Sequence, residues 1–115
     1  MAQSFNEVEL LERLDNDIGF LAETVEMLAT DGRELIVQIR QALSGADAPR
    51  LGSAAHTLKG MVSNFCAPQV QADAFDLERI GKSGDLAAAA PVVGKVEQEV
   101  DALIVELTAF VKARS

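Results

Sequence analysis

The stretch Ala54-Ala55-His56-Thr57-Leu58-Lys59-Gly60 organises the sequence and contains the one histidine of the 115 residues. His56 lies within a helical pattern of apolar residues but is offset from the apolar stripe, and Lys59 follows it by one turn. Small residues share the face of His56 on both sides along the helix: Gly52, Ser53, Gly60 and Ser63. Because a glycine inside a helix costs about 1 kcal/mol relative to alanine, we expect this face to admit a large group that approaches the imidazole.

The composition predicts one helical domain that spans residues 1–115. Hydrophobic residues make up 49% of the chain, and it has five Phe but neither Trp nor Tyr, which suits packed helices better than a β-sandwich. The net charge of −8 argues against nucleic acids and anionic membranes as partners. One cysteine, no signal peptide and no apolar run of about 18 to 20 residues predict a cytoplasmic protein. The initial Met favours a free-standing protein over a piece of a hybrid kinase.

Apolar spacing predicts a short first helix and a long second one. Phe5, Val8, Leu11 and Leu14 form the apolar side of the first helix, for which Ser4 is the expected N-cap and Glu7 completes a capping box. The second helix is predicted from about residue 17 to 43, with Ser44-Gly45 at its end. Asp31-Gly32 would ordinarily indicate a turn. The apolar phase is kept across it, which favours one continuous helix.

Three further segments complete the predicted fold. The third helix begins at an Asp47 cap, and its core stripe is Leu51, Ala55, Leu58, Val62 and Phe65. The fourth begins at Pro68 and gives way to a loop at residues 81–84. The last begins at Asp85, and Pro91 predicts either a kink or a short helix followed by a restart. The sequence therefore predicts an all-α fold, an antiparallel four-helix bundle with an additional short N-terminal helix.

His56 is open to two interpretations, a hydrogen-bonded structural residue at the rim of the bundle or a nucleophile. A metal site lacks a second histidine, the nucleophile elbow of a hydrolase is missing, and no phosphate loop indicates ATP chemistry. The chemical role that remains is an exposed imidazole that carries a phosphoryl group, because neutral imidazole is nucleophilic at one nitrogen. Lys59 could offset the charge of the phosphate oxygens.

Glu78 is a candidate for orienting this histidine. If the third and fourth helices fold back at Ala67-Pro68, residues whose numbers sum to about 134 lie level, and Glu78 is then opposite His56. A carboxylate there could accept the Nδ1 proton and leave Nε2 as the nucleophile. An ordinary solvated helix charge is an equally good interpretation of Glu78.

Several segments together resemble the histidine-containing phosphotransfer (HPt) domain of two-component phosphorelays: Ala55-His56-Thr57-Leu58-Lys59-Gly60, Asn64-Phe65-Cys66-Ala67-Pro68 and Leu77-Glu78. The resemblance covers nearly the whole chain. The family usually has glycine where this chain has Cys66, which we interpret as a packing residue rather than a redox sensor. The Arg-Thr-Pro-like segment of kinase dimerisation domains is missing.

The resemblance implies a phosphoryl carrier on His56 that is not itself an enzyme, with no ATP site and no cofactor or metal of its own. Lys59 would assist with the phosphate, Gly60 would give the partner clearance, and Glu78 would hydrogen-bond the histidine. The implied partners are response-regulator receiver domains, which supply the aspartate, Mg²⁺ and most of the catalysis, and a hybrid sensor histidine kinase.

The remaining expectations concern docking, oligomeric state and rival functions. We expect a monomer whose docking surface is an apolar patch around His56, with Phe20, Met27 and Met61 as exposed candidates. One rival interpretation is a phosphotransfer module of a larger histidine kinase. The other is a non-catalytic scaffolding bundle in which His56 is inert.

Overall fold

The chain folds into long helices that pack together through apolar residues at helical spacing. The computed structural model describes residues 4–115, and within that range all regular secondary structure is helical. The helices are α1 (Glu7–Arg13), α2 (Ile18–Met27), α3 (Arg33–Ser44), α4 (Ala48–Val62), α5 (Pro68–Ser83) and α6 (Ala89–Arg114). A π-helical turn, Leu28–Gly32, joins α2 to α3, and the backbone stays right-handed helical at both junctions. The prediction of one continuous second helix is therefore confirmed, with a π turn where Asp31-Gly32 lies.

The rod α2–α3 packs with α4, α5 and α6 in a bundle of 44 × 22 × 22 Å. Short loops connect these long elements, and α1 precedes them as a separate short helix. This arrangement confirms the predicted four-helix bundle with an additional N-terminal helix. No helix within residues 4–115 has the length and apolar character needed to cross a membrane.

The core stripe predicted for the third helix is buried as expected. Leu51, Ala55, Leu58 and Val62 of α4 are fully enclosed, and Phe65 in the following 3-10 turn retains 2% of its surface. Each buried leucine contributes about 2 kcal/mol of transfer free energy. His56, Thr57 and Gly60 lie between these positions and are exposed, so core packing fixes the histidine on the outer side of α4.

The first helix differs from its prediction in its cap and in one residue of its apolar side. Asn6, rather than Ser4, is the N-cap, and its Oδ1 accepts a hydrogen bond from Glu9 N at 3.0 Å. The Ser4 hydroxyl instead donates to Glu106 at 2.6 Å. Phe5 is buried and Leu11 and Leu14 pack against the core, as predicted, but Val8 is 67% exposed and Leu10 is fully buried in its place.

The predicted loop at residues 81–84 is wrong, because α5 continues to Ser83 and ends at Gly84 with φ +79°. Gly81 is buried against Gly52 of α4, and a Cβ on Gly81 would lie 2.5 Å from the Gly52 Cα. The predicted role of Gly52 as clearance for a partner is therefore also wrong. These two glycines let the backbones of α4 and α5 approach closely. The solvent-facing side chains of α4 can therefore contact side chains of α5.

Pro91 marks a restart, the second of the two alternatives that its position predicted. A 3-10 turn, Leu86–Ala88, comes first, and Asp85 Oδ1 accepts from Ala87 N at 3.1 Å. The long helix α6 then begins at Ala89, which places Pro91 in its first turn. The missing N–H of a proline removes no intrahelical hydrogen bond there.

Candidate functional site

His56 projects from α4 into solvent, with 66% of its side chain exposed. Its Nδ1 lies 2.9 Å from Glu78 Oε2 on α5. The structure thus places Glu78 level with His56, as the hairpin geometry predicted, and the Gly52–Gly81 contact one turn away explains why the two helices are close enough. The other ring nitrogen, Nε2, is left to the solvent side.

Glu78 is nearly buried, with 4% of its side chain exposed, and three basic side chains surround its carboxylate. Lys59 Nζ donates to Oε1 at 2.7 Å, while Lys82 Nζ lies 3.1 Å from Oε2, the oxygen that faces His56. The hydrogen bond from Lys59, followed by those from Lys82 and His56, outweighs the effect of burial and lowers the pKa of Glu78 to about 2. Glu78 is therefore ionised at neutral pH.

The ionised carboxylate fixes the tautomer of the imidazole. A carboxylate only accepts hydrogen bonds, so the hydrogen between His56 and Glu78 belongs to Nδ1. In the neutral ring Nε2 then holds a lone pair that points away from the bundle. The chemistry available here is that of a nucleophilic nitrogen beside two lysines.

Lys59 is held on a second side by an aromatic ring. Its Nζ lies 5.0 Å from the ring centroid of Phe75, and the Arg79 guanidinium lies 5.5 Å from the same ring. A cation over an aromatic ring contributes about 0.5–1 kcal/mol at an exposed site. Positive charge from Lys59, Arg79 and Lys82 therefore gathers where α5 faces His56.

Gly60 lies one turn after His56, and a Cβ built on it would meet no atom within 4 Å. Unlike Gly52, it has no packing reason to be glycine. Ser63, another small residue on this face, uses its hydroxyl to donate to the Gly60 carbonyl at 2.6 Å. The surface just beyond the imidazole is consequently low and open.

An apolar groove lies on the flank of α4 away from Glu78, between the end of α1, α2 and the C-terminal part of α4. It is lined by Arg13, Leu14, Phe20, Leu21, Thr24, Met27, Leu28, Met61, Asn64 and Phe65. Phe20 and Met27 are 51% and 59% exposed, and Met61 is partly buried. The three residues that the sequence suggested for a docking surface thus lie along one groove.

Two neighbours of the site were missed in the sequence. Lys82 had been placed in a loop, although its spacing of four residues from Glu78 indicates contact once α5 is extended to Ser83. Phe75 is one turn before Glu78 and carries an exposed aromatic ring. The hairpin register that reached Glu78 also places Phe75 level with Lys59, since their numbers sum to 134, but that pairing was not predicted.

A family model described as "Hpt domain" matches residues 23–106 of the sequence. The chain belongs to the Hpt domain family. The matched range contains Glu78 and the three basic residues around it, His56, Lys59 and Lys82. The function of the protein is accordingly histidine phosphotransfer in a phosphorelay, and the predicted family and function are confirmed at this level.

Among solved structures, the Hpt domain described here is similar to histidine-containing phosphotransfer protein B (HptB) from Pseudomonas aeruginosa PAO1. The two share 20% sequence identity, and the alignment covers 98% of each chain with a TM-score of 0.89. At this identity the likeness concerns the fold. No curated protein matches the sequence.

Proposed function

We propose that His56 is the residue that carries the phosphoryl group and that Nε2 is the atom that bonds to it. The observation that carries the proposal is the 2.9 Å contact between Nδ1 and the ionised Glu78. In the transfer step the Nε2 lone pair attacks the phosphorus of a receiver's aspartyl phosphate. The N–P bond forms as the bond from phosphorus to the aspartate oxygen breaks, and the aspartate leaves as a carboxylate. Nδ1 keeps its hydrogen and donates it to Glu78 Oε2 in a hydrogen bond throughout the step.

Lys59 and Lys82 supply positive charge beside the transferred group. Both lie within 3.1 Å of the Glu78 carboxylate, so their side chains are held close to the ring before the phosphoryl group arrives. Charge that is already in position stabilises developing negative charge without reorganisation. Lys59 is 26% exposed and Lys82 is 74% exposed, which makes Lys59 the better ordered of the two.

The receiver docks on the apolar groove and passes over Gly60 to reach His56. The exposed side chains of Phe20 and Met27 provide apolar area that association would remove from water. Gly60 provides clearance, since no other atom comes near its missing side chain.

The rest of the chemistry belongs to the partner. The Hpt domain acts as a monomer without an ATP site, a receiver domain brings the aspartate and Mg²⁺, and a hybrid sensor kinase is the source of phosphate. Phosphoryl transfer depends mainly on positioning and charge, and this chain contributes the nucleophile and the basic side chains around it.

The test is label transfer from a phosphorylated receiver domain in the presence of Mg²⁺. Wild-type protein should become labelled and His56→Gln should not. Lys59→Ala should be labelled about tenfold more slowly with unchanged helicity, whereas Lys112→Ala, in the remote last turn of α6, should match wild type. A wild type that stays unlabelled would leave the scaffolding alternative, and equal labelling of His56→Gln would show that the phosphoryl group is bound elsewhere than on His56.

A further inference from the structure

The outer side of α2 and the π-helical turn is acidic, and this acidic side borders the apolar groove. Glu23, Glu26 and Asp31 line a depression together with Thr30 and Met27. Met27 also lines the apolar groove, so the two surfaces are continuous. All three carboxylates are exposed, and within residues 4–115 none of them takes part in an ion pair.

This acidity is uncompensated along the segment that carries it. From Ile18 to Gly32 the sequence has three acidic residues and no lysine or arginine. Glu23 and Glu26 are one turn apart, a spacing at which like charges destabilise a helix. Arg33, the next basic residue, pairs with Asp101 of α6 at 3.7 Å.

The basic residues of the site lie on the other flank of α4. Lys59, Arg79 and Lys82 gather where α5 faces His56 and pair there with two carboxylates, Glu78 and Asp76, which leaves one positive charge in excess. The groove itself contains one basic residue, Arg13, which pairs with Glu9 at 4.0 Å. The face that presents His56 therefore has two signs of charge, positive beside the histidine and negative beyond the groove. A partner with complementary charges can bind this face in one orientation, because the positive and negative regions lie on opposite sides of the groove.

We propose that Glu23, Glu26 and Asp31 select receiver domains that carry basic side chains beside an apolar docking patch. This inference rests on the proposed function, because it names which receivers fit the same site. A matching receiver places its aspartyl phosphate beside Lys59 and Lys82, and its apolar patch on Phe20 and Met27. Its basic side chains then face α2. Receivers with a neutral or acidic border bind the groove more weakly, since like charges brought together cost free energy.

The experiment compares two double variants with the same change in net charge. Glu23→Gln with Glu26→Gln neutralises the acidic border. Glu97→Gln with Glu106→Gln neutralises two acidic side chains on α6 and leaves the pair between Arg33 and Asp101 intact. Each is measured for kcat/KM of label transfer from a receiver domain that labels wild-type His56, at low and at high salt. Receivers with basic and with neutral border residues are used in parallel.

With a basic-bordered receiver at low salt, the α2 double variant should lose about fivefold in kcat/KM through a higher KM. The loss should shrink at high salt and be absent with the neutral-bordered receiver, and the α6 double variant should match wild type. Equal rates for the two double variants, or faster transfer by the α2 variant, would overturn the inference while leaving His56 as the phosphoryl carrier. Absence of labelling in the wild type would overturn the proposed function and this inference together.

Discussion

At the scale of single residues, one nearly buried carboxylate connects the histidine to two lysines. Glu78 accepts from His56 and Lys59 on α4 and pairs with Lys82 on α5. An ionised group with so little exposure is stable only when it is paired. The ion pairs that offset the cost of burying the Glu78 carboxylate also hold Lys59 and Lys82 beside the imidazole of His56.

The first prediction concerns Glu78→Gln, which keeps the shape of the side chain and removes its charge. The amide holds two lysines less firmly and weakens the preference for a proton on Nδ1, so labelling from a receiver should slow about tenfold. NMR of the imidazole nitrogens should show a larger fraction of the other tautomer. Asp76→Asn, an exposed change on the same helix, is the control, and identical spectra for both variants would remove Glu78 from the orienting role.

A second prediction separates clearance from chemistry at Gly60. Gly60→Ala should raise the free energy of unfolding by about 1 kcal/mol, because the added methyl group meets no atom and alanine favours the helix. Transfer from a receiver should slow, while labelling by a small donor such as phosphoramidate should not. Slower labelling by both donors would show that the methyl group disturbs the imidazole itself.

The sequence was informative about the residues of the site because each left a local signal. His56 is offset from an apolar stripe, Lys59 follows it by one turn, and the register of the hairpin placed Glu78 opposite His56. Cys66 is different, since its φ of +55° becomes visible only in three dimensions. The left-handed conformation favours glycine, which agrees with the glycine that the resemblance led us to expect at this position.

At the scale of helices, the approach of α4 and α5 depends on a glycine pair that the sequence analysis assigned otherwise. Gly52 was interpreted as clearance and Gly81 as the start of a loop, because a glycine in isolation suggests both. Only the packed helices show that the backbone at each glycine occupies the place where a Cβ of the other residue would lie. The same contact sets the distance between His56 and Glu78, so packing and site geometry are coupled.

The third prediction compares glycines in two helices. Gly81→Ala should lower the free energy of unfolding by about 3 kcal/mol, since its methyl group would overlap the Gly52 backbone. Gly94→Ala on α6 should raise it by about 0.5 to 1 kcal/mol, because nothing lies within 4 Å of the added carbon. Urea unfolding of both variants checks this, and a destabilisation of similar size in both would contradict it.

At the scale of the whole molecule, two neighbouring carboxyl groups, those of Asp73 and Glu99, make the stability depend on pH. Asp73 on α5 is 5% exposed and accepts from Gln69 at 3.0 Å, with Lys95 of α6 at 3.4 Å. Burial alone would raise its pKa, but hydrogen bonds from Glu99, Gln69 and Lys95 lower it. Burial, then the contact with Asp73, raises the pKa of Glu99 to about 7. Within residues 4–115, Glu99 Oε1 is buried without a hydrogen-bond partner. A proton shared between Glu99 and Asp73 would lower the cost of burying these two carboxyl groups.

The fourth prediction follows from the sign of this shift. Because the pKa of Glu99 is raised, the folded protein keeps a proton that the unfolded chain has already lost. The stabilisation that this proton gives to the folded state is fully present below about pH 4.5 and is lost as the pH rises through about 7. The free energy of unfolding should fall by about 1 to 2 kcal/mol between pH 5.5 and 8, allowing for partial solvent screening. Glu99→Gln should remove most of that fall, and the exposed control Glu34→Gln should retain it. An equal slope in both variants would contradict the assignment.

In the proposed transfer, Nε2 of His56 bears the phosphoryl group while Nδ1 stays hydrogen-bonded to Glu78. The most direct measurement is phosphorus and nitrogen NMR of ¹⁵N-histidine-labelled protein after transfer from a phosphorylated receiver, which is simplified by there being one histidine in the chain. We predict phosphorus coupled to Nε2 and a hydrogen retained on Nδ1. Coupling to Nδ1, or a phosphorus signal with no coupling to the imidazole, would contradict the account.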